Sequence, residues 1–161
     1  MDYVKGDLLA MAEDGGFDII VHGCNCFNTM GGGIAREIAM KYPQAYAVDC
    51  QTKSGDYMKL GNYTTTLVET REFVTFRIIN AYTQYGFNRN GSNHDLFDYT
   101  AFELILSKLE HYYSSNRFGF PLIGCGLAGG NKTKIMSLIE SFDKRIQFSG
   151  GGKATVVEYQ P

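Results

Sequence analysis

The sequence lacks the features that would place it at a membrane or on nucleic acid. No apolar run approaches the ~18 residues that a membrane-spanning helix needs, and we expect no signal peptide. Lys and Arg number 15 against 17 Asp and Glu, which gives a net charge of −2. Because no excess of positive charge is available to attract phosphate backbones, general nucleic-acid binding is not expected. We predict a cytoplasmic protein without a membrane partner.

Cysteine is scarce, and its spacing does not fit a metal site. The four cysteines are Cys24, Cys26, Cys50 and Cys125, of which the first two form a C-x-C rather than a C-x-x-C pair. The three histidines are scattered along the chain. Since a structural zinc site needs four converging ligands, we expect buried thiols in a reducing compartment, no metal and no cofactor.

Internal repeats, low-complexity tracts and linkers are also missing from the sequence. Because such segments mark the boundaries between domains, we predict a single domain over 1–161. A chain of this length can bury a core that is stable unaided. We expect a monomer.

What the sequence does contain is a regular alternation of apolar strands and amphipathic helices. Strands are predicted at residues 2–5, 17–23, 62–69, 73–81, 118–123 and 154–159. Helices are predicted at residues 33–42, 45–52, 98–114 and 132–142, and a short turn or helix at residues 7–12. Helices interleaved with strands predict a three-layer α/β/α domain with a mixed, largely parallel sheet of about six strands.

Two glycine-rich loops each lie between a predicted strand and a predicted helix. The first contains residues 31–35, Gly-Gly-Gly-Ile-Ala, and the second residues 124–130, Gly-Cys-Gly-Leu-Ala-Gly-Gly. A strand that leads through glycines into a helix presents unpaired N–H groups beside the positive end of the helix dipole, which suits phosphate. The alternative is that the glycines only supply turn conformations. Two such loops together favour a clamp on the pyrophosphate of a nucleotide-like anion.

The second loop contains the pattern G-x-G-x-x-G over residues 124–129, but its surroundings do not suit a dinucleotide-binding fold. Only one predicted strand follows it, and that strand does not end in the acidic residue that binds a ribose 2′-hydroxyl. Neither loop ends in Gly-Lys-Ser or Gly-Lys-Thr, so ATP hydrolysis by a P-loop is not expected.

Four polar or aromatic side chains lie at predicted strand ends, and each has two interpretations. His22 is either a core histidine or a proton relay beside the first loop. Asn25 either stabilises a turn or binds a pair of sugar hydroxyls. Asp7 either caps a helix or accepts a hydrogen bond from an exocyclic amine such as that of adenine. Tyr159 is either a surface aromatic or a platform on which a base stacks.

Together these segments resemble a macro domain, the fold that binds ADP-ribose. The resemblance covers most of the chain and is closest to the ADP-ribose 1″-phosphate phosphatases and the related hydrolases that remove ADP-ribose from glutamate. Stand-alone macro domains of this kind occur in phages and bacteria. The matching segments are 6–8 (Gly-Asp-Leu), 20–25 (Ile-Val-His-Gly-Cys-Asn), 31–35, 121–130 (beginning Pro-Leu-Ile) and 156–159 (Val-Val-Glu-Tyr).

The resemblance implies a role for each of these segments. Asp7 and Leu8 would contact adenine, Tyr159 would pack on the base, and Asn25 would contact the distal ribose. The first diphosphate loop would comprise Gly31, Gly32, Gly33, Ile34 and Ala35, and the second Gly124, Cys125, Gly126, Leu127, Ala128 and Gly129.

The chain departs from the glutamate hydrolases at two points. Ala128 stands where those enzymes carry an aspartate, and residues 79–84, Ile-Asn-Ala-Tyr-Thr-Gln, lack their lysine. A covalent lysine mechanism is therefore not expected. The phosphatase branch agrees better, through His22, the Ala-Gly-Gly of the second loop, and the Asp98-Tyr99 pair. This resemblance implies His22 and Asp98 as catalytic residues, although Asp98 is equally suited to capping a helix.

The sequence therefore supports a phosphatase that acts on ADP-ribose 1″-phosphate as the first hypothesis. The alternatives are a non-catalytic module that binds ADP-ribose, and a hydrolase of another derivative. Such derivatives include O-acetyl-ADP-ribose, an ADP-ribosylated target and a cyclic ADP-ribose-type signal. If His22 and Asp98 are buried or act as caps, the binding module is favoured, because fold alone does not decide function.

Overall fold

The structure, a computed structural model, describes residues 1–87, 96–126 and 128–161. The strands in these ranges are β1 (Asp2–Gly6), β2 (Ile19–Cys24), β3 (Tyr63–Glu69), β4 (Thr75–Tyr82), β5 (Arg117–Phe120) and β6 (Lys153–Tyr159). The helices are α1 (Leu8–Glu13), α2 (Gly33–Lys41), α3 (Pro43–Cys50), α4 (Tyr99–Tyr113) and α5 (Lys132–Gly150), with a 3₁₀ turn at Tyr57–Lys59. No helix in these ranges is long and apolar enough to cross a membrane.

The strands form one six-stranded sheet in the order β1-β6-β5-β2-β4-β3. Neighbouring strands are parallel, except that β3 pairs antiparallel to β4 at the edge of the sheet. The predicted mixed, largely parallel sheet is confirmed. Because the carboxyl ends of parallel strands meet at one edge, the segments that follow β1, β6, β5, β2 and β4 lie along that edge.

Helices cover both faces of the sheet, and each face has its own hydrophobic cluster. On one face α4 and α5 contribute Phe102 and Ile139. On the other face α1, α2 and α3 pack, and α2 contributes Ile38. Side chains of a strand alternate between faces, so Val21 of β2 belongs to the first cluster and Ile20 to the second. This arrangement confirms the predicted three-layer α/β/α architecture.

Several predicted boundaries differ from the observed ones by a few residues, and three of these differences have a reason in backbone chemistry. Strand β5 ends directly before Pro121, because proline has no N–H to pair with a neighbouring strand. Strand β4 begins two residues after Phe73, which has a φ of 64° in the turn that precedes it. Helix α5 continues eight residues beyond its predicted end, to Gly150, and Gly151 then terminates it in a left-handed cap with a φ of 76°.

Candidate functional site

A cavity of about 510 Å³ lies at the carboxyl edge of the sheet, between the two glycine loops. Its described lining residues are Gly23, Cys24, Asn25, Thr29, Gly31, Gly32, Gly33, Ile34, Ala35, Gln84, Phe87, Pro121, Leu122, Ile123, Gly124, Gly126 and Ala128. None of these carries a charged side chain. An anion in this cavity would therefore be held by backbone N–H groups and neutral polar side chains, without a cationic side chain of the described lining. The described residues also contain no cluster of His, Cys, Asp and Glu that suits a metal ion.

The first wall of the cavity is the amino end of α2. Gly32 is the N-cap residue and has no side chain to bond the first turn. The first backbone N–H with a hydrogen bond in this helix is that of Arg36, which donates to the carbonyl oxygen of Gly32 at 3.4 Å. By contrast, α1, α4 and α5 each begin with a side-chain cap. Among the described residues, the N–H groups at the start of α2 have no capping partner, and together with the helix dipole they favour an anion at this wall.

The second wall is the loop between β5 and α5. Gly124 has a φ of 73°, and a Cβ there would lie 2.3 Å from the ring of Phe97, so only glycine fits. The N–H of Gly130 donates to the carbonyl of Gly124 and closes the loop at 2.7 Å. Within the described chain, the N–H groups of Gly126 and Ala128 have no backbone partner, and both residues line the cavity. Two walls thus present backbone donors to one space.

Several predicted binding residues lie at the same edge but outside the cavity lining. The Asp7 carboxylate caps α1, where Oδ1 accepts from the N–H groups of Leu9 (3.0 Å) and Ala10 (3.1 Å), and Leu8 is buried. Tyr159 pairs with Gly6 across β1 and β6, and its side chain is 66% exposed. In the second loop Cys125 and Gly129 are not lining residues either, and Leu127 lies outside the described residues.

Asn25 lies on the cavity wall and also shapes the turn that precedes the first glycine loop. Its Nδ2 donates to Oγ1 of Thr29 at 2.7 Å, while its Oδ1 accepts from the N–H of Phe27 at 2.8 Å. The side chain is half-buried. The structure thus shows the turn-stabilising interpretation of Asn25, while its contact with a sugar stays a prediction for a residue that lines the cavity.

His22 lies in the interior of the molecule and does not line the cavity. It is completely buried on the face of β2 that it shares with Ile20, toward α2 and α3. Its Nε2 lies 2.7 Å from Oδ1 of Asn80, whose own Nδ2 donates to the carbonyl of Ala45 at 2.9 Å. Because that carboxamide oxygen can only accept, Nε2 of His22 donates the hydrogen bond. Burial lowers the pKa of His22 to about 4, so the ring is neutral at physiological pH.

Asp98 occupies the N-cap position of α4. Its Oδ1 accepts from the N–H of Ala101 at 2.9 Å, and its own N–H donates to the carbonyl of Thr83. The structure therefore brings neither catalytic candidate to the cavity wall. A capping carboxylate is a sufficient explanation for aspartate at this position.

Seven side chains on the cavity wall were not among the predicted binding residues. Four of them lie in the segments that carry the resemblance, namely Cys24, Pro121, Leu122 and Ile123, and the other three do not. Gln84 follows the carboxyl end of β4 and donates from Nε2 to the carbonyl of Gly86, and Thr29 and Phe87 also line the cavity. The rule that ligands bind beyond the carboxyl ends of parallel strands would have indicated Gln84. No comparable signal marks the other two.

Comparisons with known proteins agree with this architecture. A family model described as Macro domain matches residues 21–139. An uncharacterized 17.5 kDa protein of Enterobacteria phage T4 is 30% identical, over 99% of this chain and 96% of its own length. An ADP-ribose 1″-phosphate phosphatase of Saccharomyces cerevisiae (strain YJM789) is 32% identical over 68% of this chain, and the match spans 60% of the yeast protein.

A solved structure supports the same fold. Thermosipho africanus DarTG in complex with ADP-ribose superposes with a TM-score of 0.72 at 13% identity, covering 99% of this chain and 42% of that protein. At that identity the similarity concerns the fold alone. Because the family model covers well over half of the sequence, the conclusion is that this chain belongs to the Macro domain family.

Proposed function

We propose that this chain binds ADP-ribose, with the diphosphate held between the amino end of α2 and the loop after β5. The observation that carries the proposal is that residues of both walls line one cavity without charged side chains and, among the described residues, have backbone N–H groups without a backbone partner. Its volume of about 510 Å³ is typical of a small-molecule site. The yeast relative named for an ADP-ribose derivative, and the structural neighbour solved with ADP-ribose, support the choice of ligand.

The strand order gives the ligand a direction in this proposal. The adenine lies at the β1–β6 end, where the second carboxylate oxygen of Asp7 accepts from the exocyclic amine and the exposed ring of Tyr159 stacks on the base. The distal ribose lies at the β2–β4 end, beside Asn25 and Gln84. The diphosphate falls between them, over β5 and β2.

Replacing Tyr159 with alanine is expected to weaken ADP-ribose binding roughly 5- to 150-fold, because a base stacked on an aromatic ring contributes about 1–3 kcal/mol. The ring is 66% exposed, so the fold should be unaffected. Calorimetric titration measures the effect, and Tyr159→Phe is the control that keeps the stacking surface. Equal affinity of the alanine variant and the wild type would place the adenine elsewhere.

We further propose that the chain hydrolyses ADP-ribose 1″-phosphate. Water would attack the phosphorus, the bond to the ribose oxygen would break, and inorganic phosphate and ADP-ribose would leave, the ribose oxygen taking up a proton. The loop N–H groups would stabilise charge on the phosphoryl oxygens. Because His22 and Asp98 lie off the cavity wall, the group beside the substrate in this proposal is the amide of Asn25. His22 would act through its neighbours, among them Cys24 of the wall, whose Sγ lies 3.7 Å from Nε2 of His22.

Binding without hydrolysis is the second candidate, and a specific observation favours it. His22 is buried against Asn80, Asp98 caps α4, and the described cavity lining offers no titratable acid or base apart from the Cys24 thiol. Burial raises the pKa of that thiol well above its ordinary value, so it stays protonated. Hydrolysis of another ADP-ribose derivative is a further variant of the enzymatic hypothesis. A cytoplasmic location and a monomeric state remain predictions.

A phosphate-release assay with ADP-ribose 1″-phosphate, paired with calorimetric titration of ADP-ribose, tests both candidates. The phosphatase proposal predicts release at turnover far above that of a Gly32→Glu control, which blocks the cavity. Tight ADP-ribose binding without release would reject the phosphatase and leave the binding module or another derivative. Neither binding nor release would contradict both.

A further inference from the structure

A buried lysine holds the segment 25–29, which precedes the first glycine loop, from outside the cavity. Lys59, at the end of the 3₁₀ turn, is only 7% exposed. Its Nζ donates to the carbonyl of Cys26 at 3.1 Å and to Oδ1 of Asn28 at 2.5 Å, and it lies 4.8 Å from the ring centroid of Tyr82. Burying an ammonium group is costly unless it is hydrogen-bonded, and both hydrogen bonds of Lys59 go to the segment 25–29.

Asn28 is the residue through which this contact shapes the loop. Its φ of 58° lies in the left-handed region, which asparagine tolerates better than most residues. Its Nδ2 donates to the carbonyl of Thr52 at 2.8 Å, and its own carbonyl accepts from the hydroxyl of Tyr46 at 3.1 Å. Lys59 supplies the charged contact in this set. The turn is therefore fixed by α3, the segment after it and the 3₁₀ turn.

The anchored segment leads directly to the cavity wall. Cys26 follows Asn25, and Asn28 precedes Thr29, so the two Lys59 contacts lie just inside the two ends of the segment 25–29. Asn25 and Thr29 line the cavity and are bonded to each other at 2.7 Å. Lys59 and Asn28 do not line it. A substitution of Lys59 can thus affect ligand binding only by moving this segment or by removing the charge of the lysine.

We propose that Lys59 is a positioning residue for the distal-ribose end of the site, fixing the segment 25–29 so that the Asn25 amide meets that ribose. The inference rests on the proposed function. The adenine contacts come from β1 and β6, and the diphosphate contacts come from the amino end of α2 and from the loop after β5. Lys59 therefore governs affinity for ligands that carry a distal ribose and not for those that end at the diphosphate.

The test compares ADP-ribose with ADP, which lacks the distal ribose, on the wild type and on Lys59→Met. Methionine keeps the aliphatic stem and removes the ammonium group. We expect ADP-ribose affinity to fall about tenfold, equivalent to one lost hydrogen bond, while ADP affinity stays within about twofold. Calorimetry is performed well below the unfolding temperature of each variant.

Two further variants keep the test decisive. Asn28→Gly accepts the left-handed φ and removes the Oδ1 contact, so it should show the same selective loss even if Lys59→Met does not fold. Val68→Ala truncates a buried residue of β3 outside the loop, and it should lower stability without changing either affinity.

The outcomes separate the inference from the proposed function. Equal loss of ADP-ribose and ADP in Lys59→Met and Asn28→Gly, or no loss of either, would overturn the positioning role and leave a purely structural lysine. A wild type that binds ADP-ribose no better than ADP would also overturn it. A wild type that binds neither ligand would overturn the proposed function itself.

Discussion

Replacing Gly32 with glutamate is expected to abolish ADP-ribose binding while leaving the fold intact. Gly32 has a φ of −137° and a ψ of 155°, extended backbone that any residue adopts. A carboxylate there would occupy the uncapped amino end of α2, where the helix dipole favours it. A phosphate about 4 Å away would be repelled by roughly 4 kcal/mol at an effective dielectric near 20, equivalent to about a thousandfold in Kd.

Charge and size can be separated at this position. Gly32→Gln has nearly the same volume without the charge, so it should lose much less affinity than the glutamate variant. Gly126→Glu places a carboxylate on the opposite wall, where a Cβ meets nothing within 4 Å, and should lose binding to a similar extent. Calorimetry and thermal unfolding provide the measurements. A folded Gly32→Glu protein that binds ADP-ribose like the wild type would show that the diphosphate does not lie on α2.

Removing the side chain of His22 is expected to destabilise the protein by about 3 kcal/mol, because it leaves a cavity and an unpaired Asn80 oxygen in the core. Urea unfolding of His22→Ala measures this loss. His22→Gln is the matched control, since its Nε2 can donate to Asn80 in place of the imidazole. We expect the glutamine variant to retain most of the stability and the ADP-ribose affinity. An alanine variant as stable as the wild type would contradict the buried contact.

The same residue predicts a pH dependence of stability. Burial lowers the pKa of His22 in the folded state to about 4, below the ordinary value of 6.5 that the unfolded chain has. Above about pH 6.5 neither state is protonated, so the wild type is most stable there. As the pH falls toward 4 only the unfolded state takes up the proton, and stability drops by up to about 3 kcal/mol.

The difference between the wild type and His22→Gln isolates this titration. The pKa of Asp18 is lowered by its hydrogen bonds to Arg117, and that of Asp143 by hydrogen bonds that outweigh burial, so both carboxylates lose stabilising charge at low pH in either protein. Their effect cancels in the comparison. Two stability curves that stay parallel between pH 6.5 and 4 would show that His22 does not titrate with a lowered pKa.

The sheet and the glycine walls were predictable because they depend on local sequence. Alternation of apolar runs with helical periodicity predicted each strand and helix, and parallel strands necessarily share a carboxyl edge. The segments that contain Gly32 and Gly124 follow strands at that edge, so their meeting in one cavity follows from topology. The positive φ of Gly124 and its contact with Phe97 explain why glycine is required there.

The placement of His22 and Lys59 was not predictable in the same way. Because side chains alternate along β2, His22 lies on the same face of the sheet as Ile20. Its partner Asn80 is 58 residues away in the chain, and no local sequence pattern specifies the register of β2 against β4 that brings the two together. Lys59 looks in sequence like any exposed lysine. It is buried because the 3₁₀ turn brings it against Asn28, 31 residues earlier in the chain.

Calorimetric titration of the wild-type protein with ADP-ribose, with AMP as the comparison ligand, tests the central claim most directly. AMP retains the adenine and one phosphate but cannot span both glycine walls. The account predicts one-to-one binding of ADP-ribose, substantially tighter than that of AMP. Absence of ADP-ribose binding, or equal affinity for the two ligands, would contradict a site built to hold the diphosphate.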